Sequence, residues 1–251
     1  MKVYFVGAGP GDVELITVKG KKLLEEADVV VYAGSLVNRE LLRFCKDDAE
    51  IYDSSKMHLD EIIKTMVEAS KKGKKVVRLH TGDPTIYGAI REQIDRLHRE
   101  NIQCEIVPGV SSFTAAAAAL EKEFTLPDVS QTVILTRIEG RTPVPERERL
   151  HKLAQHRASM AIFLSVHKIE EVVEELKKGY NEDTPVVVVQ KASWKEEVVV
   201  PGSLKDISKK VKEKNITKTA IILVGDFLGN KYGFSKLYNK NFSHGFREAQ
   251  K

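Results

Sequence analysis

Lys74-Lys75-Val76-Val77-Arg78-Leu79-His80-Thr81-Gly82-Asp83-Pro84-Thr85-Ile86-Tyr87-Gly88 decides the fold. The run 74–79 reads as a buried strand. Pro84, whose fixed φ suits a first helical turn, predicts a helix continuing through Ala89, Ile90, Ile94 and Leu97. The Thr81-Gly82-Asp83 crossing between them then lies at the carboxyl edge of an open α/β sheet, where such folds bind ligands. On its plainest reading Asp83 caps the helix and Tyr87 packs. Capping and ligand contact are compatible.

Working outward, the first half alternates strand and helix. Val3–Val6 and Val29–Tyr32 are short apolar strands, separated by a glycine-rich loop and a helix burying Leu23, Leu24 and Ala27. Leu59, Ile62, Ile63, Met66 and Val67 share one helical face, predicting an amphipathic helix over 58–71. Gln103–Val107 is another strand, and Pro108-Gly109-Val110-Ser111-Ser112 turns into an alanine-rich helix over 112–120. Such alternation predicts a mostly parallel sheet with helices on both faces. A polar, turn-forming bridge over 121–130 marks a boundary. Beyond it come strands at 132–136, 161–164, 186–189 and 220–224, a hairpin partner at 197–200, and helices at 146–156, around Ile169–Leu176 and around Leu204–Val211. The expected architecture is therefore two α/β domains, 1–122 with a mostly parallel sheet and 123–228 with a mixed one. Residues 229–251, polar and aromatic without period, read as a tail laid on the surface or on a partner chain.

At 251 residues with 42% hydrophobic content the chain can bury real cores. A net charge of +4, from 40 basic and 36 acidic residues scattered along the chain, is too mild to argue for nucleic acid and would tolerate an acidic small molecule. Cys45 and Cys104 form neither a disulfide framework nor a thiolate metal site, so a reducing cytoplasm is the expected setting. No apolar run reaches the roughly 18 residues of a membrane span, and no targeting segment is legible. The seven histidines show no pair at the spacing of a helical zinc site, so no metal is expected. His58, His80 and His167 sit near element ends and could act as acid or base, or simply be solvated.

Gly7-Ala8-Gly9-Pro10-Gly11-Asp12, after the first strand, invites a dinucleotide reading. The third glycine of that fingerprint is replaced by Asp12, and a carboxylate beside a pyrophosphate is unfavourable. The acid expected on the ribose would fall in the apolar run around Val30. A structural turn or a loop for another ligand remains. A Walker-type phosphate loop, a nucleophile elbow and a Ser-His-Asp or Cys-His order are absent.

Several stretches together resemble the tetrapyrrole (corrin/porphyrin) methyltransferase family. They are Val6–Asp12, Ala27-Asp28-Val29-Val30-Val31-Tyr32, Thr81–Pro84 with Tyr87-Gly88, Val107–Ser112, and Pro185–Trp194, in the family's order over residues 1 to 228. Tyr32-Ala33-Gly34-Ser35-Leu36-Val37, Met57-His58-Leu59 and above all Ser130–Pro145 resemble its precorrin-4 branch. The family's entry enzymes carry an aspartate where this chain has Ala33, which disfavours the first pathway step.

The resemblance implies methyl transfer from S-adenosylmethionine to carbon 11 of precorrin-4, or of its cobalt form, giving the corresponding precorrin-5 on the way to cobalamin. Another ring-methylating step, or a cofactor-binding module without turnover, stays open. By place in matched motifs, Pro10, Thr81, Gly82, Asp83, Ile86, Ser111, Ser112, Leu164, Ala192 and Ala220 are implied at the cofactor, in a cleft between the domains of a homodimer. A tetrapyrrole bearing carboxylates needs cationic donors, for which Arg78, Arg137 and Arg141 are candidates; Arg78 could instead pair at the sheet edge. His58, Glu139 and Asp83 are candidate bases.

Overall fold

The computed structural model describes residues 1–140 and 142–250, so Arg141 lies outside the described residues. The chain divides into two compact units, Met1–Ala119 with Lys191–Val198, and Leu120–Gln190 with Val199–Lys251.

The first unit carries strands β1 (Lys2–Gly7), β2 (Val29–Tyr32), β3 (Glu50–Asp53), β4 (Val76–His80) and β5 (Gln103–Val107) in the order β3-β2-β4-β1-β5. Every neighbouring pair is parallel. Helices α1 (Val18–Glu26), α2 (Leu59–Lys71), α3 (Ile90–Arg99) and α4 (Ser112–Ala119) connect or follow them. The period-two alternation of strand side chains sorts the core into two faces. Val6, Val30, Val77 and Leu79 pack with Leu23 and Leu24 of α1 and with Ala27 just after it. Val3, Phe5, Val29, Val31 and Val76 pack with Ile62, Met66 and Ala69 of α2 and with Ile90 and Leu97 of α3. Adjacent strands β1 and β4 thus send their following helices to opposite faces. That is the arrangement which places a crevice at the strands' carboxyl ends.

Two local expectations are corrected. The helix expected from Pro84 starts only at Ile90. Tyr87 and Ala89 take positive φ of 55° and 49°, and a Cβ on Gly88 would lie 2.1 Å from the Pro84 carbonyl oxygen, so the segment coils into a turn. Edge strand β3 was not expected, because Glu50 and Ile51 are exposed and supply no apolar alternation.

The second unit holds β6 (Val133–Arg137), β7 (Ser159–Phe163), β8 (Pro185–Gln190), β9 (Val198–Ser203) and β10 (Ala220–Val224), ordered β6-β7-β10-β8-β9. β6 and β7 are parallel, while β10 runs antiparallel to both β7 and β8, giving the mixed sheet that the sequence predicts. Helices α5 (Leu150–Ala154), α6 (Ile169–Lys177) and α7 (Ile207–Glu213) bury Leu150, Val172, Leu176, Ile207 and Val211. The helix expected over 146–156 is split, because Arg149 is extended at ψ 140° between a 3-10 turn and α5. Phe234, Tyr238 and Phe246 of the tail are exposed. Among the described residues no helix is long and apolar enough to cross a membrane.

Candidate functional site

Three loops leave the carboxyl ends of β1, β4 and β5, and backbone contacts knit them together. The Ala8 amide donates to the His80 carbonyl at 2.7 Å, and Gly9 and Gly82 form a two-way bridge, at 2.8 Å from the Gly82 amide and 3.4 Å from the Gly9 amide. The third loop is packed as closely. A Cβ on Gly109 would lie 2.2 Å from the Gly82 carbonyl oxygen and 2.8 Å from the Gly7 Cα, so only glycine allows this approach. Gly82 itself sits at φ 58°, its Cβ direction facing Ser111 and Ser112 at 3.8–3.9 Å.

Asp83 organises the junction. Its Oδ1 accepts from the Thr85 amide at 2.7 Å and the Thr85 hydroxyl at 2.5 Å, and its Oδ2 accepts from the Gly109 amide at 3.0 Å. This is an Asx turn joined to the neighbouring loop, not the helix cap expected from sequence. With both oxygens engaged, Asp83 holds loops together and is poorly placed to serve as a base.

The segment after β8 belongs to the same unit and packs on the β1 loop. The Trp194 Nε1–H donates to the Pro10 carbonyl at 2.8 Å, and the Ser193 hydroxyl accepts from the Asp12 amide at 3.0 Å. A Cβ on Gly11 would fall 2.0 Å from the indole ring. Asn38 Nδ2 donates to the Gly11 carbonyl at 2.9 Å. Lys191 and Ser193 are at φ 50° and 69°, a strain that brackets buried Ala192. Pro10, Thr81, Gly82, Asp83, Ser111 and Ser112 are therefore brought to one edge, with Ile86 on the loop between β4 and α3 and Ala192 in the segment laid on the β1 loop. Gly109 and Trp194 were missed from sequence. Their signals were a glycine directly after a strand-ending proline and the chain's only tryptophan.

Farther along the same carboxyl edge, Asp53 at the end of β3 gathers Tyr32 and Arg39. Its Oδ2 accepts from the Tyr32 hydroxyl at 3.3 Å and from Arg39 Nη2 at 3.2 Å, and its Oδ1 from the amide and hydroxyl of Ser55 at 2.9 and 2.6 Å. The Ser55 bonds, first of these partners, hold the Asp53 carboxyl below its ordinary pKa. Gly34 lies against it: a Cβ there would fall 1.9 Å from the carboxylate, which would have to shift.

In the second unit, the parallel pairing of β6 with β7 and the antiparallel pairing of β7 with β10 put Arg137, Glu139, Leu164 and Ala220 at one sheet edge. Leu164 is 60% exposed at φ 55°, an apolar residue held in a strained conformation and facing solvent. Arg137 is engaged by its own loop: Nη1 donates to the Ile138 and Thr142 carbonyls and Nη2 to that of Pro143, at 2.8–3.3 Å. The Glu139 carbonyl accepts from Lys168 Nζ at 2.9 Å, and its carboxylate has no hydrogen-bond or ion-pair partner among the described residues.

Two candidates are corrected. Arg78 does not reach the sheet edge: it is 5% exposed, with Nε on Gln93 Oε1 at 3.1 Å and Nη1 on the Val31 carbonyl at 3.2 Å, so its guanidinium is not available to a substrate. His58 caps α2, its Nδ1 accepting from the Glu61 amide at 3.4 Å while Glu61 accepts from the His58 amide at 3.0 Å. That exposed ring nitrogen is committed to the helix, which argues against a proton-transfer role.

The glycines of the first-unit edge leave the backbone open to close approach by a ligand. Three loops of small residues, exposed Tyr87 and half-buried Ile86 line that edge.

The family model for Tetrapyrrole (Corrin/Porphyrin) Methylases matches residues 2–208. The chain is 62% identical over 252 residues to a cobalt-precorrin-4 C(11)-methyltransferase of Methanocaldococcus jannaschii, covering 100% of this chain and 97% of that protein. It is similar to the X-ray structure of a cobalt precorrin-4 methyltransferase, with TM-score 0.89 and 53% identity over 91% of this chain and 96% of that one. A uroporphyrin-III C-methyltransferase from Thermus thermophilus, crystallised with S-adenyl homocysteine, is similar at TM-score 0.76 and 27% identity over 91% and 93% of the two chains.

Proposed function

Because the chain belongs to the tetrapyrrole (corrin/porphyrin) methylase family, we propose that it methylates carbon 11 of cobalt-precorrin-4, giving cobalt-precorrin-5 in cobalamin biosynthesis, with S-adenosylmethionine as donor. The observation that carries this is the 62% identity to an enzyme of that name across the whole chain. The knitted glycine loops support it, offering a surface of small residues that a donor without phosphate can approach closely.

S-adenosylmethionine supplies an electrophilic methyl on a sulfonium, open to in-line attack by a ring carbon. The protein's part is to hold donor and acceptor aligned. Thr81, Gly82, Ile86, Ser111, Ser112 and Ala192 line the donor's place, with Asp83 fixing two of their loops and Pro10 held by Trp194. Leu164 and Ala220 are assigned to the donor by the family resemblance alone. Arg141 is our candidate to pair with the substrate carboxylates, and Arg39, oriented by Asp53, supplies a second guanidinium for them. Of the three candidate bases, Glu139 alone keeps a carboxylate without a partner among the described residues, so it accepts the proton released at the methylated ring.

The protein acts in the cytoplasm as a homodimer on a small tetrapyrrole, with no nucleic-acid or membrane partner; light scattering on the purified protein reads the dimer. The reaction is tested by incubation with S-adenosylmethionine and either precorrin-4 or its cobalt form, locating the new methyl by NMR. Methylation at carbon 11 of the cobalt form is expected, and a methyl at any other carbon refutes the assignment. Glu139→Gln lowers kcat with little change in KM, whereas Arg141→Ala raises the substrate KM.

A further inference from the structure

Beneath the Thr81–Ala89 loop, polar side chains hold α3 to the sheet where apolar packing would serve elsewhere. Arg78 and Gln93 are each 5% exposed. Arg78, on β4, donates to Gln93 Oε1 at 3.1 Å and to the Val31 carbonyl of β2 at 3.2 Å, and Gln93 Nε2 donates to the Ala89 carbonyl at 3.1 Å. One connected set of bonds therefore ties β2, β4 and the first turn of α3. No carboxylate partners Arg78 among the described residues, and burial lowers its pKa to about 10. A buried cation in such a place costs stability that an apolar pair of similar volume would not.

This set of bonds ends at the exit of the loop. The loop's entry is fixed by the Gly9–Gly82 bridge and by the Asp83–Gly109 bond. Its exit is the strained corner Tyr87-Gly88-Ala89, with φ of 55° at Tyr87 and 49° at Ala89, and α3 begins there without a side-chain cap. Such conformations persist only where the surroundings over-determine them. The Gln93 bond to Ala89 lies at that corner.

We propose that Arg78 and Gln93 are positioning residues for the methyl donor: their buried bonds fix the exit of the Thr81–Ala89 loop, and so the presentation of Thr81, Gly82 and Ile86. This rests on the reading of that loop as part of the S-adenosylmethionine site. Neither residue touches the donor; both act through Ala89.

The test compares Gln93→Leu, the double variant Arg78→Met with Gln93→Leu, and Asp83→Ala as a loop reference. Each is assayed for S-adenosylhomocysteine affinity by calorimetry, for Tm, and for the KM of donor and tetrapyrrole separately. Gln93→Leu should weaken S-adenosylhomocysteine about tenfold, or about 1.4 kcal/mol, and raise the donor KM with the tetrapyrrole KM unchanged. In the double variant the apolar pair should recover the Tm without recovering the affinity. If Gln93→Leu does not fold, the double variant carries the measurement. Recovery of both Tm and affinity in the double variant overturns the proposal, because the bonds are then only structural. Wild-type affinity in both Gln93 variants alongside a weakened Asp83→Ala also overturns it and leaves the loop assignment standing. Wild-type affinity in all three removes the loop assignment as well.

Discussion

His80 makes the stability of the protein fall with acid in a window where few other groups act. Its ring ends β4 at 5% exposure and stacks on Phe5 with centroids 6.0 Å apart, and its Nε2 has no hydrogen-bond partner among the described residues. Burial first, then the charge of Arg78, lower its pKa to about 3. The folded protein therefore keeps the ring neutral, while the unfolded chain takes up a proton near pH 6.5. Between those values the unfolded state binds more protons, so stability rises with pH. The contribution is complete above about pH 6.5 and is lost as the pH falls below it. Integrated for one proton, the loss between about pH 7.5 and pH 5 is about 2 kcal/mol. Carboxyls held low by lysine partners, such as Glu26, Glu50 and Glu105, act in the same direction. Their losses begin only as the pH approaches unfolded values of about 4, below the window in which His80 acts. His80→Leu, similar in volume and unable to titrate, should flatten that limb to less than about 0.5 kcal/mol over the same range. Urea unfolding at a series of pH values, with m held common, measures both curves. Parallel wild-type and variant curves would refute the reasoning.

Other expectations follow from the loop geometry. Gly109→Ala sets a Cβ against two backbone segments, 2.2 Å from the Gly82 oxygen and 2.8 Å from Gly7; it should cost about 3 kcal/mol or more in urea unfolding and abolish S-adenosylhomocysteine binding. Trp194→Phe keeps a ring on Gly11 but loses the 2.8 Å bond to the Pro10 carbonyl, so thermal unfolding should show a loss of about 1 kcal/mol with weaker donor binding. Arg137→Met releases three carbonyls of its loop, and limited proteolysis should then cut more rapidly between residues 138 and 145, with a higher tetrapyrrole KM.

The strand-helix alternation was legible because burial imposes it residue by residue. Val29–Tyr32 is wholly apolar because both its faces are covered, and Ile62 and Met66 recur at helical spacing because one face of α2 meets the sheet. The edge strand β3 was not legible, since an edge needs only one neighbour and Ile51 stays 42% exposed. The turn over 84–87 was misread for a related reason. Proline and aspartate have the same local preferences at a helix start and in an Asx turn. What separates the two is the Gly109 amide on Asp83, a partner 26 residues away.

The same limit governs the site. Pro10, Gly82, Asp83 and Ser111 are named by the family resemblance, and the structure sets each of them two to four residues past the end of a parallel strand, at one carboxyl edge. Arg78 misled because a cation in a strand signals either a ligand or a buried polar link, and the sequence shows only the charge. The deciding partner, Gln93, lies 15 residues on, in a helix whose start was itself misplaced by the turn. Once α3 begins at Ile90, Gln93 falls on its first turn, with its amide on Ala89 and its oxygen on Arg78. The strained corner and the buried arginine are then one feature: the positive φ at Ala89 sets where α3 starts, and that start brings Gln93 within reach of β4.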